Sequence, residues 1–164
     1  MNKSLVKANT CCFFQASWAD INFLYQHKWI NCEEVKKYAD SLFLKDNLPS
    51  LSNLLWAKND TFDFCEELVK LAGSESCNLE KVSLIGLCDI WQSKKQFRET
   101  QNLIEELYCD CDHQKLLAQF VSYMPVERVG DFFLEENYER KIQEFMENLK
   151  LPQEVIIETQ CASF

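Results

Sequence analysis

Apolar residues recur at helical spacing along most of the chain, and residues that favour helix starts or ends divide this pattern into short segments. The clearest stripe comprises Val35, Tyr38, Ala39, Leu42 and Phe43, at positions i, i+3, i+4, i+7 and i+8. The pattern predicts about seven to eight helices, near residues 17–27, 31–44, 49–56, 61–72, 78–91, 94–107, 112–124 and 131–149. The segment at 78–91 is apolar on nearly every face, so we expect it to be central, and we expect the four tryptophans to fill the core.

Several predicted helix starts carry side chains that can satisfy the free N–H groups of a first turn. Ser17 stands three residues before Asp20, which is the spacing of a capping box, and Asp60 or Thr61 can cap a later helix. Asp112 is placed to cap the helix that follows it, because a carboxylate accepts hydrogen bonds from exposed amides. We therefore expect short helices with well-defined beginnings.

Composition favours the same fold class. The 164 residues include only 3 Gly and 3 Pro, too few for the many tight turns of an all-β sandwich or barrel. Short connections make successive helices antiparallel neighbours, so we predict one all-α domain over residues 1–164, an array of helical hairpins with HEAT-like stacking as one option. In this prediction residues 1–16 are an N-terminal segment, and residues 150–164 are a tail or a short strand.

Charge and cysteine content narrow the class of partner and the compartment. The chain has 17 basic and 26 acidic residues, a net charge of -9, and residues 61–112 hold much of the excess acid. This charge repels a phosphate backbone, so the expected partner is a basic protein surface and not nucleic acid. Nine cysteines without a secretory leader indicate a reducing compartment, and no apolar run approaches the roughly 20 residues of a membrane span. We expect a cytoplasmic protein that does not enter a membrane.

The densest cluster of reactive side chains is Cys109, Cys111 and His113, between two predicted helices. Two thiols and an imidazole can bind zinc, but a structural zinc site needs a second ligand pair at similar spacing, which the sequence does not supply. The sequence also lacks a glycine-rich phosphate loop and a recognisable nucleophile with its base. We expect no metal, no other cofactor, no catalytic residues and no enzyme activity, and a Cys/His metal-dependent hydrolase is the disfavoured alternative.

An acidic segment with one tyrosine leads into this cluster. The candidate partner-binding residues are Asp89, Glu105, Glu106, Tyr108, Asp110 and Asp112. A hydrated helix face explains these residues without any function. A tyrosine among carboxylates is also typical of a surface that docks against Lys and Arg side chains of a partner.

Five short motifs are shared with a known group of proteins. They read SWADI at 17–21, WI at 29–30, YA at 38–39, LYCDCD at 107–112 and FVSYMP at 120–125. With these motifs the chain resembles an uncharacterised family of small α-helical bacterial proteins over about residues 17–125. Cys111 and His113 stand where that family commonly has aromatic residues, so the turn is altered here. Such families include immunity proteins of contact-dependent and polymorphic toxin systems, and the resemblance implies that role.

The expected function is therefore stoichiometric inhibition of a toxin by binding. The expected partner is the C-terminal domain of a cognate toxin, a nuclease with a basic surface, held by one monomer of this chain in a 1:1 complex. The resemblance supplies no catalytic residues, so the candidate contact residues rest on the acidic segment alone. The first alternative is an α-helical adaptor or scaffold that binds another basic partner.

Overall fold

The computed structural model describes residues 3–43, 49–121 and 135–148. Within these ranges the chain forms helices α1 (Ala8–Phe13), α2 (Trp18–Gln26), α3 (Cys32–Phe43), α4 (Pro49–Trp56), α5 (Phe62–Ala72), α6 (Leu79–Gln92), α7 (Phe97–Asp110), α8 (Lys115–Ala118) and α9 (Glu135–Asn148). No strand occurs in the part of the chain that the structure describes. The predicted all-α class is confirmed. The predicted C-terminal tail or strand, at 150–164, lies outside the described residues.

Three of the predicted helix starts form as the side-chain chemistry requires. Ser17 accepts a hydrogen bond from Asp20 N, and the Asp20 carboxylate accepts from Ser17 N, which completes the capping box of α2. Thr61, rather than Asp60, accepts from the backbone at the start of α5. Asn78 caps α6 in the same way. Local side chains therefore set these starts.

The predicted cap at Asp112 is wrong. Asp112 and His113 have positive φ angles of 56° and 58°, and α8 begins only at Lys115, after Gln114, which makes no side-chain cap. The reason is that α7 continues to Asp110, so Asp112 belongs to the left-handed turn that ends α7. Aspartate tolerates positive φ better than most residues do.

The N-terminal segment contains a helix that the sequence pattern does not predict. Before it, residues 3–7, here named the N-terminal strap, run alongside the chain at 28–29: Ser4 N donates to Lys28 O at 3.0 Å and Val6 N to Trp29 O at 2.9 Å. Helix α1 follows, and its N-cap residue Lys7 offers no side-chain cap. The missing caps come from distant helices, since Asp89 accepts from Lys7 N and Glu34 accepts from Ala8 N, each at 2.9 Å.

Helix α6 is the centre of the fold, as its apolar sequence predicts. It packs against α1, α2, α7 and α8, and five of its buried apolar residues, Val82, Ile85, Leu87, Cys88 and Ile90, belong to one continuous apolar cluster. Its approach to α7 depends on Gly86, because a Cβ atom there would lie 2.7 Å from a methyl carbon of Leu107. The helices do not pack as a simple solenoid, in which each repeat contacts its neighbours in sequence, because α1 packs against α6 and α2 against α5.

The tryptophans do not all enter the core. Trp29 is fully buried, and Trp18 and Trp91 are partly buried against the core. Trp56, the last residue of α4, is 87% exposed, so the prediction that it fills the core is wrong.

Among the described residues, no helix combines the length and the hydropathy needed to cross a membrane.

Candidate protein-binding surface

Helix α7 presents one acidic side beside a groove of about 420 Å³, here named the α7 groove. Its described lining consists of Glu99, Asn102, Leu103, Glu105, Glu106, Cys109 and Asp110. Residues at i, i+3 and i+7 share one side of a helix, and Glu99, Asn102 and Glu106 follow this spacing. The opposite side of α7 carries buried Ile104 and Leu107, which hold the helix against the core. The groove therefore combines carboxylates with a rigid support.

Asp110 ends the acidic row and is anchored by three side chains. Its Oδ2 atom accepts a 2.9 Å hydrogen bond from Trp29 Nε1 and a 2.9 Å hydrogen bond from Lys3 Nζ. Its Oδ1 atom lies 3.6 Å from His27 Nδ1. Because Trp29 is fully buried, this carboxylate is part of the fold as well as of the surface.

The N-terminal strap places a cation at the same end of the groove. The Lys3 ammonium lies 2.9 Å from Asp110, 3.4 Å from Glu106 and 4.5 Å from the centre of the Trp29 ring. It therefore neutralises part of the acidic row, with a cation–π contribution from the indole. Glu99 and Glu105, which precede Glu106 in α7, are the other carboxylates of the groove, and both are partly exposed.

Asp89 does not belong to this surface, which corrects the sequence-based prediction. Its side chain is almost fully buried, where it accepts hydrogen bonds from Lys7 N and, at 2.7 Å, from Thr10 Oγ1. Burial raises the pKa of Asp89 to about 7, and the two hydrogen bonds oppose that rise. The residue caps α1 and is not accessible to a partner.

Tyr108 is also buried, because it lies on the inner side of α7. Its ring meets the His113 ring edge to face, with centroids 4.8 Å apart. A role as an exposed contact residue is therefore not supported by its position. Asp112 is exposed, but it lies beyond the end of the helix.

The reactive cluster at the end of α7 is not brought together. Cys109 and His113 are exposed, whereas Cys111 is fully buried, and burial raises the pKa of its thiol to about 11. In the described ranges, no group of three or more His, Cys, Asp or Glu side chains is placed to hold a metal ion. This arrangement gives the hydrolase alternative no geometric support.

Sequence reasoning missed three residues of the surface. Glu99 and Asn102 are not among the predicted contact residues, although their spacing to Glu106 is a signal that the sequence contains. Lys3 carries no such signal, since it meets Asp110 across 107 positions of the chain. Of the six predicted contact residues, the structure brings together Glu105, Glu106 and Asp110.

Comparison with known proteins identifies one family. A family model described as "Uncharacterized protein conserved in bacteria (DUF2247)" matches residues 10–152. This range includes all five motifs, so the resemblance to a bacterial family is confirmed. No curated protein and no solved structure matches the chain significantly.

Proposed function

The chain belongs to the DUF2247 family of proteins conserved in bacteria, and from that premise we propose that it is a cytoplasmic immunity protein. It binds the C-terminal domain of a cognate toxin, a nuclease, as a 1:1 complex and blocks it without performing a reaction. The observation that carries the proposal is the α7 groove, whose carboxylates stand on a helix fixed against the core.

The groove suits a basic protein surface for electrostatic reasons. A nuclease must attract a polyanionic substrate, so its own surface is expected to be basic. A protein with a net charge of -9 and an acidic groove accelerates association with such a surface and orients it on approach. Glu99 and Glu105 are the carboxylates of the groove that we expect to meet the partner first.

Pre-organisation of the groove adds to this complementarity. Asp110 is held by Trp29 and Lys3 before any partner arrives, so it loses little side-chain freedom on binding. Leu103 supplies an apolar part of the lining, from which a partner side chain can displace water. Shape and charge are thus both present in the free protein.

The test is titration calorimetry against a catalytically inactive form of the toxin domain encoded next to the gene, followed by an activity assay of the active toxin. We expect a 1:1 complex of nanomolar affinity and loss of toxin activity. A double variant, Glu99→Lys with Glu105→Lys, should slow association at least tenfold, since it reverses the charge of the groove. Glu144→Lys with Glu147→Lys, two exposed residues of α9, changes the net charge equally and is the matched control.

Two outcomes contradict the proposal. Absence of binding and of inhibition excludes the immunity role. Binding of the basic partner without any loss of its activity favours the alternative of an adaptor or scaffold that uses the same groove.

A further inference from the structure

An exposed apolar patch lies on α4 and α5. In the described part of the chain, the large hydrophobic side chains that are exposed are Trp56 (87%), Phe62 (79%) and Val69 (50%). Trp56 ends α4, Phe62 begins α5, and Val69 follows seven residues later on the same side of α5. We name these three residues the α4–α5 patch. Large apolar side chains exposed on two helices that pack against each other are typical of protein-binding sites.

The patch is not needed to hold α5 in the fold. The inner side of α5 carries Phe64, Leu68 and Ala72, which are buried, and α5 packs through this side against α2 and α4. The Phe64 ring, for example, lies 5.2 Å from the ring of Tyr25 on α2. The helix thus has a second, outward apolar side that the monomer does not use.

The loop between the two aromatic residues is fixed from both sides. Lys36 Nζ, on α3, donates to Ala57 O at 2.6 Å, and Thr61 Oγ1 donates to Lys58 O at 2.6 Å. The backbone N–H of Asp60 donates to the buried thiol sulfur of Cys32 at 3.3 Å. These bonds hold the ends of α4 and α5 in place, so the backbone that presents the patch is ordered before a partner binds.

The patch borders a second groove, on the side of α2. Val69 lines this groove, of about 330 Å³, whose lining includes Phe23 and His27 of the neighbouring chain segment. His27 lies 3.6 Å from Asp110, which lines the α7 groove. A partner that covers Val69 and His27 therefore comes close to Asp110 at the end of α7.

The charges around the patch decide which occupant it fits. Between residues 56 and 70 the chain has four carboxylates, Asp60, Asp63, Glu66 and Glu67, and two ammonium groups, Lys58 and Lys70. Lys70 is already engaged, at 3.7 Å by Glu66 and at 3.3 Å by Glu67. A second copy of this chain would bring like charges together, and an anionic lipid surface would be repelled. A basic protein surface with an apolar pocket is the complementary occupant.

We propose that the α4–α5 patch is the energetic centre of the interface with a basic protein partner, while the α7 groove steers that partner into place. The inference rests on the proposed function in so far as this partner is the toxin domain. Trp56 and Phe62 are the hot-spot residues, because burying their rings removes the most apolar surface from water.

The first test uses the toxin domain and two double variants. Trp56→Ser with Phe62→Ser should weaken binding at least hundredfold, whereas Trp56→Phe with Phe62→Leu, which keeps most of the apolar area, should weaken it less than tenfold. Circular dichroism and urea unfolding should show both variants folded, because both side chains are exposed in the monomer. Binding by the serine variant within threefold of wild type overturns the inference and leaves the immunity role intact.

The second test does not depend on the toxin. A helical peptide with leucine on one side and lysine on the other is titrated into the full-length protein labelled with nitrogen-15. The indole signal of Trp56 should shift, and a peptide with glutamate in place of lysine should leave it unchanged. A shift of the Trp56 signal with the lysine peptide supports the inference even if the toxin domain does not bind. Failure of the toxin domain to bind would contradict only the proposed function.

Two results of the peptide titration would overturn the inference: a Trp56 signal that does not move, and equal binding of the leucine–glutamate peptide. A third contrary result is a dimer of the wild type in light scattering that the Trp56→Ser, Phe62→Ser variant does not form. The last would show that a second copy of the chain covers the patch.

Discussion

The indole nitrogen of Trp29 donates a hydrogen bond of 2.9 Å to Asp110 Oδ2 across 81 positions of the chain. It connects the fully buried residue after α2 to the last residue of α7. The same carboxylate oxygen also accepts from Lys3 Nζ at 2.9 Å. One side chain thus joins the N-terminal strap, the segment after α2 and the acidic helix.

Two substitutions of Asp110 should distinguish what its hydrogen bond and what its charge contribute to the free energy of unfolding. We expect Asp110→Ala to lower the free energy of unfolding by about 1–3 kcal/mol, because the buried indole N–H loses its acceptor. Asp110→Asn keeps an oxygen acceptor and loses only the ion pair with Lys3, so its cost should be smaller. Urea unfolding of both variants measures the difference, and equal losses would contradict this account.

Asp89 should make stability depend on pH. Its folded pKa of about 7 lies above the ordinary value of 3.8, so between these values the folded protein holds a proton that the unfolded chain has lost. The contribution of this site is therefore fully present at low pH and falls as pH rises toward 7. Asp89→Asn keeps an oxygen atom but does not titrate.

We expect wild type to gain stability relative to Asp89→Asn as pH falls. The free energy of unfolding of wild type minus that of Asp89→Asn, measured with urea, should be larger at pH 5 than at pH 8. Other titrating groups cancel in this comparison because both proteins contain them. A difference that stays constant with pH would show that the Asp89 carboxyl group titrates alike in the folded and unfolded chains.

Gly86 and Leu107 should be energetically coupled. Gly86→Ala places a methyl group 2.7 Å from Leu107, and we expect the resulting overpacking, about 1–3 kcal/mol, to outweigh the roughly 1 kcal/mol gain in helix propensity. Leu107→Ala alone should cost about 2–5 kcal/mol by leaving a cavity. The double variant should lose less than the sum of both, by at least about 0.5 kcal/mol. Strict additivity in thermal or urea unfolding would be the contrary finding.

The two residues of the α2 capping box, Ser17 and Asp20, should contribute unequally to the free energy of unfolding. Ser17→Ala should lower stability by about 1 kcal/mol, the usual cost of losing an N-cap. Asp20→Ala should cost more, since the buried Asp20 carboxylate also accepts a 2.7 Å hydrogen bond from Asn78 N, 58 positions away. Chemical unfolding of the two variants ranks them, and a smaller loss for Asp20→Ala would contradict the long-range role.

How far the sequence predicts the fold depends on where each interaction partner lies. The starts of α2, α5 and α6 are predictable because Ser17, Thr61 and Asn78 act on amides only three residues away. Helix α1 is not predictable in this way, since its caps come from α3 and α6. The sequence pattern within a segment predicts only those caps that the segment itself supplies, and α1 is capped by distant residues.

The candidate surface was predicted less well for a similar reason. Helix α6 is apolar on nearly every face, and the sequence gives no sign that its carboxylate Asp89 is buried, so the prediction places Asp89 at the surface. In the structure Asp89 lies inside, where it caps the start of α1. The prediction places Trp56 in the core because a tryptophan usually buries its ring, yet Trp56 lies at the end of α4 and is exposed there. In both cases the residue type was a weaker guide than the neighbouring helices.

The order of synthesis gives the capping of α1 a temporal consequence. A helix of six residues is too short to persist alone in water, and the carboxylate that accepts from Lys7 N lies 82 residues further along. The segment of α1 is therefore synthesised before the residue that caps it, and it stays without this cap until more than half of the 164 residues have been joined. Helix α1 thus takes its final form only after α6 has been made.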